Sequence, residues 1–220
     1  DFSAIPFEDA AILMRYAENF ADGFGIVWNR GSLPVDGATD FLFVVLIGGL
    51  KRITGIGVES LIYAVNMVSQ ILSVFLAYYT LRTILNAPFY IAFISTVYLL
   101  LGPGSLLIST QFATPFFVLL VSILWVLTLK VLTSNEINRM TPLLFGIVSL
   151  LVGLTRPEGV FLTFFFLLSI INVIGIKKSN RVVINYLAVM LVFGGGYFVW
   201  RWIYFGYPLP NPYYRKMGSG

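Results

Sequence analysis

The chain contains no cysteine and no histidine, so thiolate and imidazole chemistry is excluded and any reaction must run on carboxylates, Lys, Arg, Tyr and amides. The candidates stand in three polar islands. In the first, Ile12, Leu13, Tyr16 and Phe20 recur at helical spacing through residues 8–22, and a helical wheel places Asp9 in the middle of that apolar stripe, with Glu8, Arg15, Glu18 and Asp22 on the opposite face. A carboxylate held among apolar groups has its pKa raised toward the working range of a general base, which makes Asp9 a candidate base. Acids in a first helical turn also simply complement the helix dipole, and Arg15 and Glu8 share a face on which they can pair. The second island is Arg156-Pro157-Glu158 between two apolar stretches, where charge is expensive unless used, although Arg156 can equally cap the helix that Pro157 ends or pair with Glu158. The third begins at Arg201, between Trp200 and Trp202, and continues to Asn211, Tyr213, Tyr214 and Lys216. Arg201 there can also snorkel to a membrane interface.

The elements that would position these residues are membrane helices. Of 220 residues, 58% are hydrophobic and 11% charged, against about 25% charged in a soluble domain, which excludes soluble, disordered and nucleic-acid-binding classes. Charge-free stretches at 41–50, 60–81, 83–129, 140–155, 159–176 and 182–200 mark the membrane. As one helix the 83–129 run would reach roughly 70 Å, more than two hydrocarbon cores, so it must fold back. Pro88, Gly102-Pro103-Gly104 and Pro115 supply the breaks. Gly194-Gly195-Gly196 lacks the context of a nucleotide loop and points to close helix packing or a kink.

The positive charges set orientation. With Lys51, Arg52, Lys130, Arg139, Lys177, Lys178 and Arg181 cytoplasmic, residues 1–37, the Ser109-Thr110-Gln111 segment, the turn at 155–159 and the tail from Arg201 share the other face. This requires 41–50 to be the first span and 88–111 a short hairpin that enters and leaves on the outer side; the alternative, a complete span at 88–101, would place Lys177, Lys178 and Arg181 outside. The expected organisation is therefore an outer loop with an amphipathic helix at 1–37, a transmembrane helical bundle at 38–204 with a hairpin at about 88–111, and an outer loop at 205–220. The chain begins without Met and ends on neither a signal nor a finished domain, as expected of a segment of a longer protein.

At these residues the sequence resembles a known family. Phe7-Glu8-Asp9-Ala10-Ala11-Ile12, Arg15-Tyr16-Ala17-Glu18-Asn19, Gly23-Phe24-Gly25, Asn29 and Val35-Asp36-Gly37 are similar to the first outer loop of GT-C membrane glycosyltransferases, in particular the arabinofuranosyltransferases that use a polyprenyl-phosphate sugar. Leu154-Thr155-Arg156-Pro157-Glu158-Gly159 and the stretch from Arg201 to Asn211, with Tyr213, Tyr214 and Lys216, agree as well. Glu8 stands where that subgroup usually has a first aspartate, Asp40 where Ser or Asn is expected, and Ala113 where an acid is expected.

The resemblance implies an all-α, polytopic GT-C-like bundle with an outer juxtamembrane amphipathic helix, in an inner or plasma membrane, active on its non-cytoplasmic face. The implied reaction is inverting transfer of a sugar, a pentose being one option, from a polyprenyl phosphate to a glycan or glycoconjugate acceptor of the cell envelope. Asp9, with Glu8, would be catalytic. Arg156, Arg201 and Lys216 would clamp the phosphate, through the planar fork of Arg and the point charge of Lys. Arg15, Asn19, Asn29, Asp36, Glu158, Asn211, Tyr213 and Tyr214 would contact substrate. No cofactor motif is present; a divalent metal is not indicated, and the resemblance leaves its use open, since some GT-C enzymes bind one and others do not. Partners are the lipid-linked sugar, the acceptor and the bilayer, with no nucleic acid. The alternative from another class is a transporter or flippase subunit for lipid-linked saccharides, which should place charges at mid-membrane.

Overall fold

A computed structural model describes residues 8–102, 108, 110–134, 138–208 and 211, without the side chains of Glu8 and Asp9. Every regular element among the described residues is helical. Three helices are long and apolar enough to cross a membrane, Val58–Ile84, Thr114–Thr133 and Ile176–Phe205. Large apolar side chains stand exposed along them and their neighbours, among them Phe75, Phe89, Phe161, Phe165, Leu191 and Ile203. That surface is compatible with a lipid bilayer.

The first helix, α1 (Glu8–Ala21), buries Ala10, Leu13, Met14, Tyr16 and Ala17 and exposes Ala11, Arg15 and Glu18. It stops where Gly23 takes φ +86°. The Phe24 N–H then bonds the Asn19 carbonyl at 2.9 Å and the Gly23 N–H the Phe20 carbonyl at 3.2 Å, the paired bonds of a Schellman ending.

The next helix, α2 (Phe41–Thr54), differs from the span expected there. At about 21 Å it falls short of a ~30 Å hydrocarbon core, and it lies against α1. A Cβ on Gly48 would come within 2.8 Å of the Ala17 carbonyl oxygen and 2.7 Å of the Phe20 ring, so only glycine allows this approach. Lys51 pairs with Asp22 at 3.3 Å, which sets the end of α2 level with the end of α1. Together α1, α2, the start of α3, Ala113 and Phe205 form one apolar core around Tyr16, Phe43, Ile47 and Ile62.

Helix α3 (Val58–Tyr79) continues through a π-helical turn, Thr80–Ile84. Asn86, at φ +52°, reverses the chain, and Arg82 donates to the Ala87 carbonyl at 2.5 Å. Where a hairpin over about 88–111 is expected, α4 (Phe89–Leu101) runs back along α3, tied by Gln70 to the Leu99 carbonyl at 3.0 Å. Asn66 then bonds the Phe112 carbonyl at 2.8 Å just ahead of α5 (Thr114–Thr133), whose first turn accommodates Pro115. Pro115 therefore opens a helix rather than breaking one, because the first turn has no donor to lose. With α2 beside α1, Lys51 and Arg52 join residues 15–37 at one end of the fold, while Lys130 in the last turn of α5, and Lys177, Lys178 and Arg181 at the start of α8, lie at the other end from Thr114, Arg156 and Arg201.

A second core packs α5, α6 (Met140–Thr155), α7 (Glu158–Ile174) and α8 (Ile176–Val189) around Leu124, Phe145, Val152, Ile170 and Val182. Helix α8 passes through a π-helical turn, Met190–Gly194, into α9 (Gly195–Phe205). A Cβ on Gly195 or Gly196 would meet open space and one on Gly194 only ordinary contact with Leu150 at 3.6 Å, so this glycine run accompanies an irregular helical turn rather than an approach that requires glycine.

Candidate functional site

The loop between α1 and α2 carries two acids, and each receives an arginine from a distant part of the chain. Asp36 is 6% exposed and Arg201 13%; Arg201 Nη2 donates to Asp36 Oδ2. Four hydrogen bonds hold this pair. The Tyr16 hydroxyl donates to the Val35 carbonyl at 2.5 Å and accepts from the Gly37 N–H at 3.2 Å, gripping the backbone on both sides of Asp36. The Asp36 carbonyl accepts from the Asn211 N–H at 3.0 Å. Arg201 Nη1 reaches the Pro208 carbonyl at 3.4 Å.

Burial pushes the Asp36 carboxyl above its ordinary value, with Arg201 opposing. Burial also raises the Tyr16 hydroxyl, against the Gly37 N–H and with the Asp36 charge adding to the rise, so Tyr16 stays protonated and able to donate. Arg201 is thus enclosed with a protein carboxylate rather than held open. The pair ties α9 to the 35–37 loop.

Four residues on, Asp40 faces Arg156, with Nε to Oδ1 at 3.6 Å. Asp40 makes no side-chain cap to α2 although it precedes the helix. The Arg156 guanidinium also meets Glu158 Oε1 at 3.4 Å and Thr114 Oγ1 at 3.2 Å, and lies 5.7 Å from the centre of the Phe117 ring. Its Nε is buried with no hydrogen-bond partner among the described residues. Unlike Arg201, this cation has loose neighbours and unused donors, which is what an anion ligand would require. Gly159 allows α7 to follow so closely, since a Cβ there would come within 2.5 Å of the Val152 carbonyl.

The remaining candidates from the first island gather elsewhere. Arg15 donates to the Trp28 carbonyl at 2.8 Å and to Asn29 Oδ1 at 2.9 Å, and lies 4.5 Å over the Trp28 ring. Asn19, 4% exposed, donates to the Val27 and Trp28 carbonyls and accepts from Arg30 at 3.0 Å. With Glu18 and the first turn of α3, these residues line a cleft of about 800 Å³. Asp36 and Arg156 are not among its walls.

The side chains of Glu8 and Asp9, and all of Tyr213, Tyr214 and Lys216, lie outside the described residues. Among the described residues no three His, Cys, Asp or Glu side chains gather as a metal site.

No family model, curated protein or solved structure matches this chain.

Sequence reasoning missed Asp40, Thr114 and Tyr204 as parts of this end. The Tyr204 hydroxyl accepts from the Ile26 N–H at 3.1 Å and stacks its ring on Trp200 at 5.2 Å. Tyr204 sits one turn after Arg201, and that spacing was the available signal. Asp40 had one too, as an acid placed directly ahead of an apolar run.

Proposed function

We propose that the chain is the membrane-embedded part of an inverting GT-C-like glycosyltransferase, with α1 as its juxtamembrane amphipathic helix, which moves a sugar from a polyprenyl phosphate to a cell-envelope acceptor at the non-cytoplasmic face. One observation carries the reading. The three sequence stretches that resemble the family meet on a single loop, Asp36 taking Arg201 and Asp40 taking Arg156.

In this reading Asp9 removes the proton from the acceptor hydroxyl as its oxygen attacks the anomeric carbon. The bond from that carbon to the phosphate oxygen breaks, and the electron pair leaves on the lipid phosphate. Arg156, with Lys216, stabilises the charge that develops there. Asp36 and Arg201 position the loop. The cleft lined by Arg15, Asn19 and Asn29 offers donors from Arg15 and Asn29, and the exposed carboxylates of Glu18 and Glu59 offer acceptors, a combination suited to sugar hydroxyls of the acceptor.

The transport alternative calls for charge inside the spans. Among the described residues of α3 with its π-helical turn and of α5 the buried polar groups are uncharged, namely Asn66, Ser69, Gln70, Ser73, Thr80 and Thr128, and Arg201, the enclosed cation of the third span, stands near that span's end against the 35–37 loop, which favours the transferase.

Full-length protein in proteoliposomes, given a radiolabelled polyprenyl-phosphate pentose and an acceptor glycan, separates the two. Label moving into the acceptor supports transfer. Label crossing the bilayer while still on its lipid, with no product formed, refutes it.

A further inference from the structure

At the end of the fold opposite Asp36, the chain turns from α7 into α8 at Gly175, whose φ of +81° permits the reversal. Ser179, fully buried, closes the first turn of α8 by donating to the Gly175 carbonyl at 3.0 Å. This corner and the last turn of α5 enclose a groove of about 520 Å³, with Lys177, Lys178, Asn180 and Arg181 on one side and Val131 and Leu132 on the other.

Lys177, Lys178 and Arg181 are all exposed. Among the described residues no carboxylate pairs with them, or with Lys130 beside the groove. The paired acids stand at the other end, Asp22 with Arg30 and Lys51, Asp36 with Arg201, and Asp40 and Glu158 with Arg156, and Glu18 and Glu59 line the cleft there. Glu136 lies outside the described residues.

Cations gathered without acids repel one another and attract an anion. The position narrows the choice of anion. Helices α5 and α8 belong to two of the three apolar spans, so the groove opens where a span leaves the hydrocarbon. On the same two helices, exposed Trp125, Ile184 and Leu187 present apolar surface to anything reaching into the bilayer. A phosphodiester attached to acyl chains matches both features, and free phosphate matches only the first.

We infer that this groove is a binding site for the headgroup phosphate of an anionic phospholipid. The phosphate sits among Lys177, Lys178 and Arg181, while the acyl chains lie along α5 and α8. Basic pockets between membrane helices bind anionic headgroups by this logic. The inference rests on the apolar helices and the charge distribution, and is independent of the glycosyl-transfer reading.

The test is native mass spectrometry of the detergent-purified full-length protein, titrated with phosphatidylglycerol, with phosphatidylcholine of the same chains, and with inorganic phosphate. Wild type should retain phosphatidylglycerol at least about tenfold better than phosphatidylcholine, and millimolar phosphate should not displace it. Each cation near an anionic headgroup adds about fivefold in affinity. The K177Q/K178Q/R181Q variant should therefore lose retention on the order of 100-fold, while R52Q, which removes an exposed cation at the other end, keeps it. Should the triple variant not fold, the single variants carry the test at about fivefold each. Equal retention of the two lipids, unchanged retention by the folded variants, or displacement by inorganic phosphate overturns the proposal.

Discussion

Arg201, in the last helix, closes on Asp36, 165 positions earlier in the sequence, and the pair is nearly sealed from solvent. Removing one member of a buried pair leaves the other charged and unpartnered, which costs about 3–5 kcal/mol, whereas replacing both by apolar groups is often close to neutral. R201Q should therefore lower the thermal midpoint of the detergent-solubilised protein substantially, and D36L/R201M should recover most of the loss. Thermal unfolding of the single and double variants checks this.

The pH dependence follows from the direction of the Asp36 shift. Burial raises the folded-state value above the ordinary one, so in that window the folded protein binds more protons at this site than the unfolded chain does. Its contribution to stability is complete below the ordinary aspartate value and is lost as pH rises through the raised folded value. The stability difference between wild type and D36N should shift against wild type as pH climbs from about 3 toward 7. Thermal midpoints of both proteins across that range give the sign, which would be opposite if Arg201 outweighed burial.

Arg156 should separate activity from stability where Arg201 does not. Its ion pairs are long and partly exposed, at 3.6 and 3.4 Å with the side chain 28% accessible, so R156A should cost no more than about 1 kcal/mol of stability. As a donor to a developing phosphate charge it should lower kcat by about 10²–10³. R156K, which keeps charge but loses the fork, should recover only part of the rate. Turnover measured beside thermal unfolding for both variants checks the separation.

Gly48 tests the seating of α1 on α2. Its missing side chain leaves room for the Ala17 carbonyl and the Phe20 ring, and overpacking of this kind costs about 1–3 kcal/mol. G48A should destabilise the protein despite alanine's higher helix propensity, while G49A, where a Cβ meets open space, should be neutral or stabilising. Thermal unfolding of the two variants decides it.

The apolar helices were legible because charge-free length is a direct physical requirement of crossing lipid, and the fold-back of the 83–129 run followed from length alone. The end of α1 was legible from Gly23. The placement of α2 was not. Residues 41–50 have the composition of a span, and what holds them beside α1 is Gly48 and the Asp22–Lys51 pair, both contacts between segments. Tyr16 was read as part of an apolar stripe, yet its hydroxyl grips the 35–37 loop, because a helical wheel records the side of a residue and not the reach of its tip. The partners Asp36 and Arg201, and Asp40 and Arg156, had no local signature. Their pairing depends on the order in which α3 to α9 pack, and a shared end was suggested only by the orientation of the positive charges and by the resemblance of the three stretches.

The most direct measurement is single-turnover transfer by the full-length protein from a polyprenyl-phosphate sugar, comparing wild type with D9N and E8Q. Loss of a general base predicts a rate about 10²–10⁴-fold lower for D9N with donor binding retained, and a much smaller effect for E8Q. D9N turning over at the wild-type rate would contradict the assignment of Asp9 and, with it, the proposed catalytic site.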